Sequence, residues 1–553
     1  MSSYQYKPFE YIAPVGLTKS EPRHKVVIIG AGPIGLALAI DLALRGIKTV
    51  VLDDNNVVSV GSRAICWAKR TLEIFNRLGI AERMLEKGVV WQIGRLFHQD
   101  DEIYQFDLLP ESGHKYPAFV NLQQYYVEDF LIERAKEFPT LIDLRFKNKV
   151  TQHRDEGDFV TLFIDTPDGS YQLEADYMMA CDGAGSASRE RMGLSFNGQS
   201  FDEHFLIADV KMPTSPFNTK KAERWFWFEP TFHPGQSALL HQQPDDIYRI
   251  DLQLGPQTDP KTEATPEKVL PRIKQIMGKR PFSLEWMSVY KFRCAKLERF
   301  VHNRVIFIGD SAHVVSPFGA RGGNGGIHDV DNIGWKIAAI LSGKAGPDLL
   351  ESYDEERGFG ADENIGNSAR ATNFMTPKSS IEMLFRNETL KLAKDLAFAR
   401  RLINSGRLSM PCHLGGMRLQ TDGPAPLSSG SALKDALLRD NHAQDKTWLI
   451  DIIPSDFTLL SIGALQAPDI TGLARIGINQ TSVDYPCYQS ADDNFNSRYG
   501  HDVIYLIRPD GHVAASFNSQ DGDAIMAAYN KASGHKTSGH KTSGTSSPKG
   551  VSS

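Results

Sequence analysis

Cysteine is scarce and scattered in this chain of 553 residues. The five cysteines form no CxxC pair and their number is odd, which argues against a disulfide framework and against a zinc knuckle. The 16 histidines show no HExxH or similar spacing, so we predict no metal site. Reduced thiols are typical of a cytoplasmic protein. The cysteines are Cys66, Cys181, Cys294, Cys412 and Cys487.

Long apolar runs and blocks of like charge are also missing. The apolar stretches have the length of strands, far below the ~20 residues that a membrane-spanning helix needs. The net charge of −6 argues against a general nucleic-acid binder, which usually has a basic face. Residues 1–20 lack the basic and apolar regions of a signal peptide. We therefore expect a cytoplasmic protein that binds neither nucleic acid nor membrane.

A glycine fingerprint lies near the start of the chain. An apolar strand pattern at 25–29 leads into Gly30, Gly32 and Gly35, and a helical pattern begins at residue 33. A second strand pattern ends at Asp53. In a strand–helix–strand unit these glycines allow a tight turn, close approach of a diphosphate and close packing, while the acid binds a ribose. The spacing favours a dinucleotide site over a βαβ unit that binds no nucleotide.

Two further segments suit the remaining parts of FAD. Asp310 follows an apolar run, and its carboxylate could bind the hydroxyls of a ribityl chain. The glycine-rich turn at 319–326 would let backbone lie against a flat ring, and the helix after it would favour negative charge there. The pair Asp182-Gly183 stands between the two motifs. A capped helix after a glycine-rich turn would explain the late glycines, but not their combination with the first fingerprint.

In combination, these motifs resemble the class A flavoprotein aromatic hydroxylases, the single-component FAD monooxygenases. The resemblance covers most of residues 24–515 and is strongest for the branch of phenol hydroxylase and 3-(3-hydroxyphenyl)propionate hydroxylase. Ala320 and Arg321 depart from the glycine and glutamine of many members, as does Gly185 from arginine or asparagine. The resemblance assigns FAD binding to Gly30, Gly32, Gly35, Asp53, Arg63, Gln124, Asp182, Asp310, Pro317, Gly322, Gly323 and Asn324.

The resemblance also implies a reaction. NADH or NADPH would reduce FAD, O2 would add to the flavin, and the C4a-hydroperoxide would hydroxylate a phenolic or related aromatic substrate. The sequence has no second GxGxxG in a strand–turn–helix context, so NAD(P)H would bind transiently. A homodimer is expected from the resemblance alone. The alternatives are a decarboxylating or ring-cleaving flavin monooxygenase or oxidase, and a redox-silent FAD-binding scaffold.

The predicted fold class is α/β. We expect a Rossmann-like FAD-binding domain interleaved with a β-rich substrate domain, followed by a C-terminal α/β domain. The resemblance makes this last domain thioredoxin-like, here without CxxC. The predicted ranges are an arm at 1–22, the FAD-binding domain at 23–195 and 290–404, a contribution of 95–120 to the substrate domain, the substrate domain at 196–289, the thioredoxin-like domain at 405–530, and a disordered tail at 531–553.

Candidates for the removal of a substrate proton come from the middle of the chain. They are His204, His241, Tyr248 and Arg249, and the last two alternate on a predicted strand, so at most one of them faces a pocket. The run 224–230, Arg-Trp-Phe-Trp-Phe-Glu-Pro, resembles the WxWxIP segment of flavin-dependent halogenases but has Glu229 in place of isoleucine. We interpret it as an aromatic strand that lines a pocket or a core.

Overall fold

The computed structural model describes residues 4–535, apart from 62, 110, 218–220, 256–257, 405–408 and 442–444. Within these ranges the strands form three sheets, and none of the helices combines the length and apolar character needed to cross a membrane. Elements are numbered along the chain. The helices are α1 Pro33–Leu44, α2 Lys69–Leu78, α3 Ala81–Lys87, α4 Gln124–Lys136, α5 Ala187–Arg191, α6 Pro260–Glu263, α7 Pro266–Met277, α8 Gly322–Leu341, α9 Leu350–Met375, α10 Ser380–Ala393, α11 Ala397–Asn404, α12 Leu449–Ile452, α13 Phe495–Tyr499 and α14 Gly522–Ser533.

The first sheet has a parallel centre. β1 lies between β2 and β10, and β7 and β17 extend the parallel part on either side. The apolar residues of β1 are buried, because helices cover both faces of such a sheet. Its strands are β1 His24–Ile29, β2 Thr49–Asp53, β7 Ile142–Phe146, β8 Lys149–Asp155, β9 Val160–Thr166, β10 Gly169–Ala180, β16 Val301–His302 and β17 Val305–Phe307.

The second sheet is mostly antiparallel and takes strands from distant parts of the chain. Its order is β18-β15-β11-β14-β13-β12-β4-β6-β3, with β5 paired to β4. The sheet therefore reaches beyond the predicted ranges 95–120 and 196–289, because β3 and β18 also join it. Its strands are β3 Cys66–Ala68, β4 Val89–His98, β5 Asp101–Asp107, β6 Phe119–Asn121, β11 Asn197–Lys211, β12 Ala222–Phe228, β13 Ser237–Gln242, β14 Ile247–Leu254, β15 Ser283–Lys296 and β18 His313–Val314.

Strand alternation gives the second sheet two different faces. On one face Leu206, Leu240 and Ile250 pack with Val269 and Ile273 of α7 in one apolar cluster. Side chains at the alternate positions point to the opposite face, as the two-residue period of a strand requires. Several polar residues of that opposite face, among them His241 and Arg249, line a space together with residues of the first sheet.

The third sheet belongs to the C-terminal part of the chain. At its edge, β24 and β25 form an antiparallel pair. The last helix, α14, continues to Ser533 and so passes the boundary expected at residue 530, while residues 536–553 of the predicted tail lie outside the described residues. Its strands are β19 Leu437–Asp440, β20 Lys446–Trp448, β21 Thr458–Ile462, β22 Ala474–Ile478, β23 Cys487–Ser490, β24 Val503–Ile507 and β25 Val513–Phe517.

A buried ion cluster joins the third sheet to the helices of the first. Arg508 is fully buried and donates to both carboxylate oxygens of Glu356 on α9, at 2.6 and 2.8 Å. Lys336 on α8 donates to the same carboxylate at 2.8 Å, and Asp510 accepts from Arg508. Buried charges of this kind are tolerated only when they are paired and hydrogen-bonded.

The first prediction concerns this cluster. Arg508→Met should lower the free energy of unfolding by about 3 to 5 kcal/mol, because it leaves Glu356 and Asp510 buried without their strongest cationic partner. Urea unfolding followed by tryptophan fluorescence measures the change, since Trp335 donates to Asp510 at 3.3 Å in this interface. The control is Arg439→Met at an exposed position of β19. Equal stability of the two variants would contradict the prediction.

Candidate active site

A cavity of about 700 Å³ lies between the first and second sheets. Residues at the carboxyl ends of β1 and β2 line one end of it, and side chains of β11, β12, β13 and β14 line another part. In open α/β sheets the carboxyl ends of parallel strands are the usual place for ligands. The volume is also within the range of cofactor and substrate sites.

The glycine fingerprint is shaped by close backbone contacts. Gly30 has a φ of 101°, and a Cβ there would lie 2.6 Å from the carbonyl oxygen of Cys181. A Cβ on Gly35 would lie 1.9 Å from the carbonyl oxygen of Gly30. Gly32 differs, because a Cβ on it would meet no atom within 4 Å and the residue lines the cavity at the start of α1. Gly30 and Gly35 therefore fit the turn together, and Gly32 leaves room for a ligand.

Two acidic residues line the cavity where strands of the first sheet end. Asp53 accepts from the backbone N–H of Ala31 at 2.6 Å and of Asn55 at 2.8 Å. Asp310 follows β17 and lines the cavity, and in the described part of the chain we find no hydrogen-bond donor to its carboxylate. Burial raises the pKa of both carboxyl groups. Asp310 is therefore an acceptor that is open to a hydroxyl-bearing ligand.

Two of the predicted cofactor residues are held by local contacts. Asp182 accepts from the hydroxyl of Ser186, the N-cap of α5, at 2.6 Å and from the N–H of Ser188 at 2.9 Å. Gln124 accepts from the N–H of Ala64 at 3.1 Å. Both residues line the cavity, as does the exposed Arg63, but the contacts of Asp182 and Gln124 fix the surrounding backbone.

The glycine-rich turn enters α8 beside the cavity. Gly322 and Gly323 are its first two residues and line the cavity together with Pro317. Asn324 accepts from the N–H of Ala68 and donates to the carbonyl of Cys66, both at 2.9 Å, which ties the helix to β3. Ala320 has a φ of 53°, a left-handed conformation that favours glycine.

The polar wall of the cavity is a row of side chains across the second sheet, here called the polar row. Arg224 on β12 is paired with His241 on β13, and His241 is paired with Arg249 on β14. Arg249 is paired in turn with Asp209 on β11, which accepts from it at 2.9 and 3.0 Å. Asp251 follows Arg249 by two residues, so it points to the same face.

His241 and Asp251 form a pair within this wall. His241 Nε2 lies 3.4 Å from Asp251 Oδ2, and Nδ1 lies 3.9 Å from the thiol of Cys66. Burial, followed by the charge of Arg224, lowers the pKa of His241 to about 4. The imidazole is therefore neutral at neutral pH and has a carboxylate beside it that could stabilise an added proton.

The structure separates the four predicted proton-removal candidates. His241 and Arg249 line the cavity, whereas His204 and Tyr248 do not. Tyr248 packs on the apolar face with Phe217, with ring centroids 6.0 Å apart, as alternation with Arg249 predicted. Sequence reasoning did not identify Arg224 or Asp251 as site residues. The alternation that brings Arg249 to the cavity could have identified Asp251.

The donors and acceptors of the cavity fit FAD. The open backbone at Gly32 suits a diphosphate at the N-terminus of α1, and Asp53 and Asp310 suit hydroxyl groups. Gly322 and Gly323 add no side chain beyond hydrogen, which suits a flat ring. The steric and polar features at both ends thus agree with one elongated dinucleotide.

Comparisons with known proteins agree with this fit. The family model "FAD binding domain" matches residues 23–368. A flavin-dependent monooxygenase of Mycobacteroides abscessus is 29% identical over 519 residues, which cover 89% of this chain and 97% of that protein. The 3-(3-hydroxy-phenyl)propionate/3-hydroxycinnamic acid hydroxylase of Mycolicibacterium smegmatis is 26% identical over 439 residues, which cover 79% and 76% of the two chains.

A solved structure shares the fold over nearly the whole chain. The flavin-dependent monooxygenase PieE, in complex with FAD and substrate, superposes with a TM-score of 0.77 at 19% identity. The match covers 93% of this chain and 100% of that one. The α/β fold class is thereby confirmed. Because the family model spans well over half of the sequence, the chain belongs to the FAD-binding domain family, and it is an FAD-dependent oxidoreductase of the monooxygenase class.

Proposed function

We propose that the protein hydroxylates a phenolic or related aromatic substrate, with NADH or NADPH as the reductant and O2 as the oxidant. The observation that carries the proposal is one cavity that has dinucleotide features at one end and the polar row in its wall. The hydroxylase of Mycolicibacterium smegmatis, whose name specifies hydroxyphenyl acids, supports an aromatic substrate. FAD supplies the redox chemistry and O2 activation when it is bound, and the protein supplies position and electrostatics.

Residues at the first sheet would hold the cofactor. The N-terminus of α1, with Gly32 as its cap, would bind the diphosphate through free backbone N–H groups. Asp53 would accept hydrogen bonds from a ribose and Asp310 from the ribityl chain, while Gly322 and Gly323 would lie against the ring. The N-terminus of α8 would favour negative charge at that ring.

The pair of His241 and Asp251 would receive the proton of the substrate hydroxyl. A phenol that loses its proton becomes more electron-rich and reacts more readily with an electrophilic oxygen. The neutral imidazole accepts the proton, and the carboxylate at 3.4 Å stabilises the resulting cation. The first sheet holds the cofactor and the second sheet prepares the substrate, so both act in one cavity.

The surroundings of the enzyme are part of the proposal. We propose a cytoplasmic homodimer that binds small molecules and neither nucleic acid nor membrane. All five cysteines are buried and unpaired, which suits a reducing compartment. The dimer rests on the family resemblance.

The decisive experiment is to load the purified protein with FAD and screen phenols for stimulation of NADH and NADPH oxidation. A hydroxylated product formed together with O2 uptake supports the proposal. A decarboxylated or ring-opened product would favour the alternative chemistries on this fold. Bound FAD that neither NADH nor NADPH reduces, with any phenol present, would favour the redox-silent scaffold.

The second prediction tests the cofactor site. Gly32→Val should raise the dissociation constant of FAD at least about tenfold, because the new side chain enters the space that the diphosphate needs. The fold should be retained, since a Cβ at this position meets no protein atom within 4 Å. FAD titration followed by fluorescence quenching measures the affinity, and circular dichroism checks the fold. Gly522→Val is the control, because it also begins a helix and meets open space. Wild-type FAD affinity of Gly32→Val would contradict the assignment.

The third prediction tests the proton acceptor. Asp251→Asn should lower kcat about 100-fold with a weakly acidic phenol, because the imidazolium of His241 loses its carboxylate. The loss should shrink with acidic phenols, which ionise without help. Steady-state NAD(P)H oxidation with coupled product analysis at neutral pH gives both values. Asp168→Asn, in the exposed turn after β9, should leave kcat unchanged. A loss that is equal for all phenols would argue against proton transfer.

A further inference from the structure

Arg224 stands at the junction of two compartments. It lines the main cavity, and it also lines a smaller one of about 40 Å³. Aromatic side chains dominate the smaller compartment, among them Trp91, Phe226 and Phe318. The guanidinium is therefore surrounded by apolar groups on one side and by the site on the other. Low polarity of this kind strengthens any charge interaction that Arg224 makes.

The charge of Arg224 is not neutralised by direct contact. The residue is 6% exposed, and its Nε has no hydrogen-bond partner among the described residues. Its close contacts are the ring faces of Phe226, 4.9 Å from the centroid, and Trp91, 5.6 Å from the centroid. The ring faces attract the positive charge, but they do not accept hydrogen bonds from the N–H groups, which point outward in the plane of the guanidinium. Arg249, in the same polar row, by contrast donates to both carboxylate oxygens of Asp209 and to the carbonyl of Arg63.

The charges of the polar row balance in a specific way. Arg249 and Asp209 cancel as a hydrogen-bonded pair. The remaining charges are the cation of Arg224 and the anion of Asp251, and Asp251 lies beside neutral His241 rather than in contact with Arg224. If a hydroxyl proton moves to His241, the imidazolium pairs with Asp251. Arg224 is then left with a new anion, the ionised oxygen of the substrate.

Resting on the proposed hydroxylase function, we propose that Arg224 is a catalytic residue that binds the ionised hydroxyl oxygen of the phenolic substrate. The O–H bond of the substrate breaks, an N–H bond forms on His241, and no electron changes hands in this step. The negative oxygen accepts hydrogen bonds from the guanidinium, which is short of acceptors before the substrate binds. The aromatic compartment behind Arg224 keeps the pair away from water.

The electrostatic interaction between Arg224 and His241 also favours proton transfer from the substrate to His241. The cation of Arg224 lowers the pKa of His241, in addition to burial. The anion that forms beside Arg224 offsets that effect, so the imidazolium that forms on His241 in the same step is stabilised. Arg249, Asp251 and Cys66 are the other charged or titratable groups that face His241. Proton transfer and anion binding therefore support each other.

The experiment uses the FAD-loaded protein and a nitrophenol whose ionised form is coloured. In wild type, the pKa of the bound nitrophenol should be lower than in solution by about 1 to 2, the size expected for a charged hydrogen bond. Arg224→Gln should return it to the solution value, and Arg224→Lys should keep most of the difference because the charge remains. Arg154→Gln, which removes an exposed arginine of β8, is the control.

A second measurement follows turnover. Arg224→Gln should lower kcat/KM roughly 10- to 100-fold with weakly acidic phenols and much less with strongly acidic ones. A bound nitrophenol that ionises as it does in solution, or an unchanged pKa in Arg224→Gln, would overturn this role while leaving the hydroxylase function intact. Failure to bind FAD or to oxidise NAD(P)H would instead defeat the proposed function itself.

Discussion

The two-residue period of the strands is the constraint on which the site depends. Along β11, β13 and β14 it sends leucine, isoleucine and alanine to the face covered by α7, and it sends Asp209, His241 and Arg249 to the opposite face, where His241 and Arg249 line the cavity. A slip of one residue in register would exchange the two sets and bury the charges in the apolar cluster. The apolar core and the polar row thus both result from one register of strand pairing. Because a slipped register would bury unpaired charges, the free-energy cost of burying charge helps to select this register.

The glycines and strand-end acids could be predicted because their requirements are local. A side chain at Gly30 or Gly35 would collide with backbone atoms of the same turn or next to an adjacent strand. Because this constraint is local, it leaves a fixed glycine spacing that can be recognised in the sequence. Asp53 ends a strand and Asp310 follows one, and both strands are apolar enough to be recognised. The fold class followed from the same segments. The roles of these residues in binding FAD remain predictions that rest on this geometry.

The polar row could not be predicted in the same way. Arg224 and His241 are neighbours only because β12 and β13 pair in one register, and pairing between strands leaves no spacing signal in a single sequence. Asp182 lines the cavity and also accepts from Ser186 and Ser188 at the start of α5, so its part in binding FAD stays a prediction. Tyr248 and His204 point away from the cavity for reasons of alternation and register. The boundaries of the second sheet were underestimated because β3 and β18, with three and two residues, are too short to be recognised.

Helix α8 has contacts at both of its ends that belong to different parts of the molecule. Its first residues form the turn beside the cavity, and Lys336 near its other end joins the ion cluster with Glu356 and Arg508. A helix of 20 residues is about 30 Å long and stiff. The C-terminal domain adds no described residue to the cavity lining, yet it anchors the far end of the rod that carries the flavin turn. The C-terminal domain therefore supports the cavity from a distance. If its contact with α8 were weakened, the glycine-rich turn could tilt, and the cavity would change shape although all of its lining residues were still present.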